Sequence, residues 1–149
     1  MKSKITFLAV ICLIITHVIS AQWIKTNGPN GGNTDRIIGS DGYLFMNALN
    51  SGIFRSSDMG ESWEQVNEGF PTPCTTYDLD VSGGILCASV YANGIYLSED
   101  AGETWIPANA GIENLTFYDS YIYGDQIWGA NSSGGVYYSS DKGVTWQEV

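Results

Sequence analysis

The chain has 149 residues, 16 acidic against six basic side chains, and a formal net charge of −10. So acidic a surface is repelled by phosphate backbones and anionic lipid, which excludes nucleic acid as a partner. The one histidine, His17, lies in an apolar N-terminal segment and no Cys/His cluster exists, so neither a zinc site, a histidine base nor any other metal or cofactor is expected.

In chain order, residues 1–20 read as a secretory signal peptide. Lys2 and Lys4 make a basic start, residues 5–15 are an apolar run, and Val18 and Ser20 stand at −3 and −1 of a cut before Ala21. The run is too short to cross a bilayer. The mature protein, residues 21–149, is therefore expected to be secreted, periplasmic or on the cell surface, with no membrane span. Losing Lys2 and Lys4 leaves Lys25, Arg36, Arg55 and Lys142 against all 16 acids, a formal charge of −12. The acids are scattered through turns, as solubility requires.

Trp23 then opens a short apolar and polar stretch, residues 22–26, which reads as a spare N-terminal strand. A Gly-rich segment, residues 28–32, follows and leads to Asp35. From there one phrase recurs three times: SSDMGESW at 56–63, SEDAGETW at 98–105 and SSDKGVTW at 139–146. Its aspartates, Asp58, Asp100 and Asp141, lie 42 and then 41 residues apart. Eight residues ahead of Gly52, Gly94 and Gly135 stand Leu44, Leu86 and Ile127, each opening an apolar stretch. Each of these glycines is followed by an apolar pair, then the Asp phrase, then a polar tail.

Each unit reads as four short strands. In the second unit they are predicted at 75–81, 85–90, 94–98 and 104–107, separated by Gly, Asn, Asp and Ser and rich in β-branched and aromatic residues. No stretch keeps a helical period. A four-stranded repeat of this length is the signature of a β-propeller blade. The expected fold is all-β, with three four-stranded blades of about 41 residues, near 27–66, 67–108 and 109–149. The expected structural residues are Ser56, Asp58, Gly60, Ser62 and Trp63; Ser98, Asp100, Gly102, Thr104 and Trp105; and Ser139, Asp141, Gly143, Thr145 and Trp146. In that reading the aspartate accepts backbone N–H groups two residues on, the glycine takes a positive φ, the hydroxyls tie the flanking strands, and the tryptophan fixes the turn against the sheet. The loop has too few oxygen ligands for a calcium cage.

The phrase resembles the Asp-box, or bacterial neuraminidase repeat, found in sialidases, xyloglucan-cleaving hydrolases, sortilin-type receptor ectodomains and photosystem assembly factors. The opening QWIKTNGPNGG at 22–32 is similar to the start of secreted bacterial Asp-box proteins of undefined function. The resemblance spans the mature chain and implies a β-propeller. It also implies that the Asp-boxes sit at the blade periphery, away from any catalytic or binding face.

An enzyme reading needs chemistry that the chain supplies thinly. A sialidase-like site needs a cluster of arginines, and only Arg36 and Arg55 are present, with Arg55 expected to face solvent. A glycosidase needs two carboxylates. Asp35 is the best placed, after the Gly-rich segment, and reads as an ordinary loop acid. Asp119 and Asp125 flank Tyr121 and Tyr123, residues suited to stacking on sugars and, more simply, to a half-buried strand. Asn114 and Asn131 open glycosylation acceptor patterns that matter only in a eukaryotic secretory host. Cys87 is expected opposite about Leu79, five residues from Cys74. At about 3.3 Å per residue that disfavours a disulfide and suits a small buried residue.

Three blades are too few to close a ring. The chain reads as a fragment of a longer propeller, as half of a six-bladed ring completed by a second copy, or as a lone arc with blunted edges. The function expected is a secreted, non-catalytic propeller module contacting a protein or a glycan. The alternative is a fragment or partner subunit of a secreted Asp-box glycoside hydrolase, xyloglucanase-like rather than sialidase.

Overall fold

The structure, a computed structural model, describes Gly28 and residues 33–149. The expected leader at 1–20 and spare strand at 22–26 lie outside the described residues. Among the described residues, twelve strands form three antiparallel four-stranded sheets in strict chain order. The first blade is β1 (Thr34–Ser40), β2 (Tyr43–Ala48), β3 (Gly52–Ser56) and β4 (Glu64–Gln65). The second is β5 (Thr76–Ser82), β6 (Ile85–Val90), β7 (Gly94–Ser98) and β8 (Ile106–Pro107). The third is β9 (Phe117–Tyr123), β10 (Gln126–Asn131), β11 (Val136–Ser139) and β12 (Gln147–Glu148). This is the partial β-propeller that the repeat implies.

The turns explain the meander. Asp41 and Gly42 have φ of 51° and 85°, and Gly83 and Gly84 have 57° and 84°, the paired positive angles of the tight turn that matches strand twist. The outer strands are shorter than the sequence suggests. Thr104, expected in the fourth strand of its blade, gives both its N–H and its hydroxyl to Asp100 and so stays in the turn.

Burial records which sheets have neighbours. β6 and β7 of the second blade are buried almost continuously, as strands covered on both faces must be. β9 of the third blade alternates buried and exposed, the pattern of a sheet covered on one face. One core joins the first two blades through Phe45, Ile53, Val66, Leu79, Leu86 and Trp105. A second joins the next two through Cys87, Ile95, Leu97, Phe117, Ile122 and Ile127. The uncovered face of the third blade carries Tyr121, Tyr123 and Val136, all exposed.

Cys87 is fully buried and pairs across the sheet with Asp80, one residue from the expected Leu79. Both Cys74 and Cys87 are free thiols, and burial pushes their pKa values up, to about 11 and about 12.

Candidate functional site

The three Asp phrases fold identically. In the first, the Ser56 hydroxyl donates to Asp58 Oδ1 at 2.8 Å and accepts the Gly60 N–H at 2.8 Å. The Ser62 N–H and hydroxyl then donate to the two oxygens of Asp58 at 2.9 and 2.5 Å. Ser98, Asp100, Gly102 and Thr104 repeat this at 2.7–2.9 Å for the first three bonds and 2.6 Å for the last. Ser139, Asp141, Gly143 and Thr145 do so at 2.7–2.8 Å. The aspartate thus grips the residue four positions on, not two, and the serine hydroxyl, not the carboxylate, takes the glycine N–H. The hydroxyls bind the carboxylate instead of tying the flanking strands.

These bonds hold the carboxylates ionised. Donation from the Ser62 hydroxyl, the Ser62 N–H and Ser56 lowers the Asp58 pKa to about 2. At Asp100 burial pushes upward, and the bonds from Thr104 and Ser98 outweigh it. Asp141 is lowered by the Thr145 N–H and hydroxyl and by Ser139. With every oxygen occupied by an internal donor, the three carboxylates act as clasps.

The tryptophans do more than fix their own turns. Trp105 and Trp146 reach across to the preceding blade, and Trp146 also donates to the Gly143 carbonyl of its own turn at 3.2 Å. Trp105, 2% exposed, donates from Nε1 to the Val66 carbonyl at 2.8 Å, and Trp146 donates to the Ala108 carbonyl at 3.1 Å. Each acceptor lies three residues beyond the previous tryptophan. Trp63 Nε1 is buried and has no partner among the described residues.

Arg55 corrects the expectation that it faces solvent, since it is 9% exposed. Its guanidinium sits 5.0 Å from the Tyr43 ring centre and donates to Glu64 at 2.7 and 2.9 Å, to Glu103 at 2.8 Å and to the Ala101 carbonyl at 2.9 Å. Arg55 lies in the first blade, Ala101 and Glu103 in the second, so it pins the second Asp phrase to its neighbour. Burial opposes its charge, and the bonds to Glu64 and Glu103 win, so its pKa is raised.

The inner strands are joined by side chains. Asp78, 6% exposed, accepts Arg36 Nη1 at 2.6 Å from the first blade and the Ser120 N–H at 3.1 Å from the third. Asp80 accepts the Ile122 N–H at 3.0 Å and the Ser82 hydroxyl accepts the Gly124 N–H at 3.0 Å. Alternate side chains of β5 therefore stand in for a missing backbone ladder. Asp119 lies on the open side of this row, and its pKa is raised by burial and by the neighbouring Asp78 charge.

The first strand of each blade carries one extra residue near its start. Register skips Asp35 between Thr34 and Arg36, Tyr77 between Thr76 and Asp78, and Tyr118 between Phe117 and Asp119. Pairing resumes beyond each bulge, where the Leu49, Tyr91 and Ser132 N–H groups donate to the Asn33, Thr75 and Thr116 carbonyls at 2.8–2.9 Å. Bulges re-aim side chains. Here they bring Tyr77 within 5.4 Å of the Tyr91 ring centre and 5.7 Å of the Tyr118 ring centre. Asp35 is exposed at the matching position of the first blade. Tyr121 lies in β9, 55% exposed, its ring centre 5.8 Å from that of Trp128. Asp125 lies in the β9–β10 turn, 3.6 Å from Lys142.

Sequence reasoning found the clasps and missed both the inner-strand carboxylates and the tyrosine cluster. The available signal for the first was the polar alternation of Asp78, Asp80 and Ser82 in a strand otherwise destined for the interior.

The BNR/Asp-box repeat family matches residues 137–148. Comparison with curated protein sequences gives no match. Among solved structures, the chain is similar to YCF48 from Cyanidioschyzon merolae, with a TM-score of 0.63 and 16% identity over 78% of this chain and 37% of that one. It is also similar to the GH74 xyloglucanase from Xanthomonas campestris, with a TM-score of 0.59 and 17% identity over 72% of this chain and 20% of that one. A YCF48 bound to a D1 peptide matches with a TM-score of 0.62 and 15% identity over 85% of this chain and 45% of that one. The chain thus spans less than half the length of each of these proteins. The chain thus carries a BNR/Asp-box repeat at residues 137–148, and its likeness to these structures shows the fold of a partial β-propeller.

Proposed function

We propose that the chain is a secreted, non-catalytic propeller module that presents its loops to a protein or glycan partner. The observation that carries this reading is where the reactive side chains are engaged. Asp58, Asp100 and Asp141 are closed into turns, Arg36 is paired with Asp78, and Arg55 is pinned between Glu64 and Glu103. Rigid blades with free loops suit recognition. Secretion is supported by the pattern at residues 1–20, and the acidic charge argues against nucleic acid. A hydrolysis assay tests the catalytic half of the reading. Purified protein is expected to release no reducing ends from xyloglucan, and release would favour the alternative, a fragment or partner subunit of an Asp-box glycoside hydrolase, which the likeness to GH74 structures supports.

A second copy is the partner that suits the open sheet face of the third blade. Val149 donates its N–H to the Val136 carbonyl at 2.9 Å, as Val66 does to Ile53 and Ala108 to Ile95. It therefore holds in the third blade the place whose carbonyl accepts a tryptophan elsewhere. The exposed face of the third blade, with Tyr121, Tyr123 and Val136, is where a second copy would dock, and two arcs make a six-bladed ring.

A further inference from the structure

We propose that Tyr77, Tyr91 and Tyr118 form a platform that binds a neutral glycan on the propeller face where the inner strands begin. The proposal rests on the recognition-module reading above and names its site and ligand class. The bulges supply the first argument. A regular strand would alternate its side chains between the two sheet faces and bury them against adjacent blades. The extra residue in β5 and in β9 instead turns Tyr77 and Tyr118 out of the interblade core, and both blades use it at the same register.

Exposure supplies the second. Tyr91 is 50% exposed and Tyr118 is 59% exposed, although each ring is large enough to add substantially to a core. Both flank the half-buried Tyr77 and tilt against it by 60° and 36°, so the three rings make a shallow curved surface spanning two blades. The ring centres are spaced on the scale of one sugar residue. Ring faces stack on the C–H faces of a pyranose, and the phenol hydroxyls both donate to and accept from sugar hydroxyls.

Charge supplies the third. A net charge of −10 disfavours uronic or sulfated chains. A basic peptide would need a free carboxylate beside the rings to hold it. Asp78, the residue after Tyr77, is already committed to Arg36 and to the Ser120 N–H, and Asp119, the residue after Tyr118, lies against Asp78, where its own burial and the Asp78 charge disfavour its ionised form. The surface is thus aromatic and hydroxylic, which favours an uncharged polyhydroxylated ligand.

The test uses the purified secreted chain and the variants Tyr91→Ala and Tyr118→Ala, whose exposed side chains leave the cores intact, with thermal melting to confirm folding. Calorimetric titration is run with cellohexaose and mannohexaose, with a polygalacturonate oligomer, and with oligolysine. Binding of a neutral hexasaccharide is expected, weakened about tenfold by either alanine variant and less by Tyr118→Phe, which keeps the ring. Binding that both alanine variants leave unchanged overturns the site. Binding of oligolysine or polygalacturonate alone overturns the ligand class while the recognition reading stands. Absence of any neutral-sugar binding overturns the proposal as well. Cleavage of the bound hexasaccharide would instead overturn the non-catalytic reading and leave the site in place.

Discussion

At the scale of single residues, the Asp phrase works by saturating one carboxylate with local donors. Ser98 is 2% exposed, and its hydroxyl both donates to Asp100 and accepts the Gly102 N–H. Ser98→Ala leaves that buried N–H unsatisfied, and urea unfolding is expected to show a loss of about 1–2 kcal/mol. The pH dependence follows from the direction of the shifts. Asp58, Asp100 and Asp141 are held below the ordinary carboxylate range, so their contribution is full above the unfolded pKa near 4. It fades as pH falls toward about 2, the folded value of Asp58. Melting temperature measured from pH 6 down to pH 2 should fall through that window, and a flat profile would sink the clasp account. Asp119 has the opposite sign, because its folded pKa is raised. Its charged form opposes folding at neutral pH and the penalty is relieved as pH falls. Asp119→Asn should therefore raise the melting temperature at pH 7 and lose that advantage near pH 4.

At the scale of elements, blades are held by residues that reach one blade back. Trp105→Phe keeps the ring stacked on Phe70, 4.7 Å between centres, but strands the Val66 carbonyl. A loss of about 2 kcal/mol is expected in chemical denaturation. Trp63→Phe removes a donor that has no acceptor among the described residues, so it should cost clearly less. Equal losses would show that the indole N–H bond is not what joins the blades. Strand placement was legible in advance because hydrophobic alternation and glycine turns report directly on pairing: β6 and β7 fall where the pattern puts them. What stayed hidden depends on neighbours that no local pattern encodes. Arg55 reads as an ordinary outward strand residue until Glu103 and the Ala101 carbonyl of the next blade enclose it. Nothing local marks Tyr77 and Tyr118 as outward residues, because it is a one-residue bulge in each strand that turns them so.

At the scale of the whole molecule, the described residues form an arc whose third blade leaves one sheet face uncovered. The third blade presents Tyr121, Tyr123 and Val136 at 55%, 66% and 43% exposure, where the second blade buries Cys87, Ile95 and Leu97. Light scattering on the purified protein is expected to give twice the chain mass if a second copy closes the ring. In that case Tyr121→Glu should return it to one chain mass without unfolding it. A monomer in the unaltered protein would remove the ring proposal. The bonds between inner strands carry one more consequence. Arg36 to Asp78, Asp78 to Ser120, Asp80 to Ile122 and Ser82 to Gly124 each span 42 residues. The last three end on a backbone N–H, which any blade supplies whatever its side chains, so a gene that gains or loses a stretch of that length still offers those acceptors a donor, whereas a shorter insertion within an inner strand separates them all. Such a locus can lengthen or shorten by whole units at little risk to folding, so the number of blades is free to drift while the joint between them is held fixed.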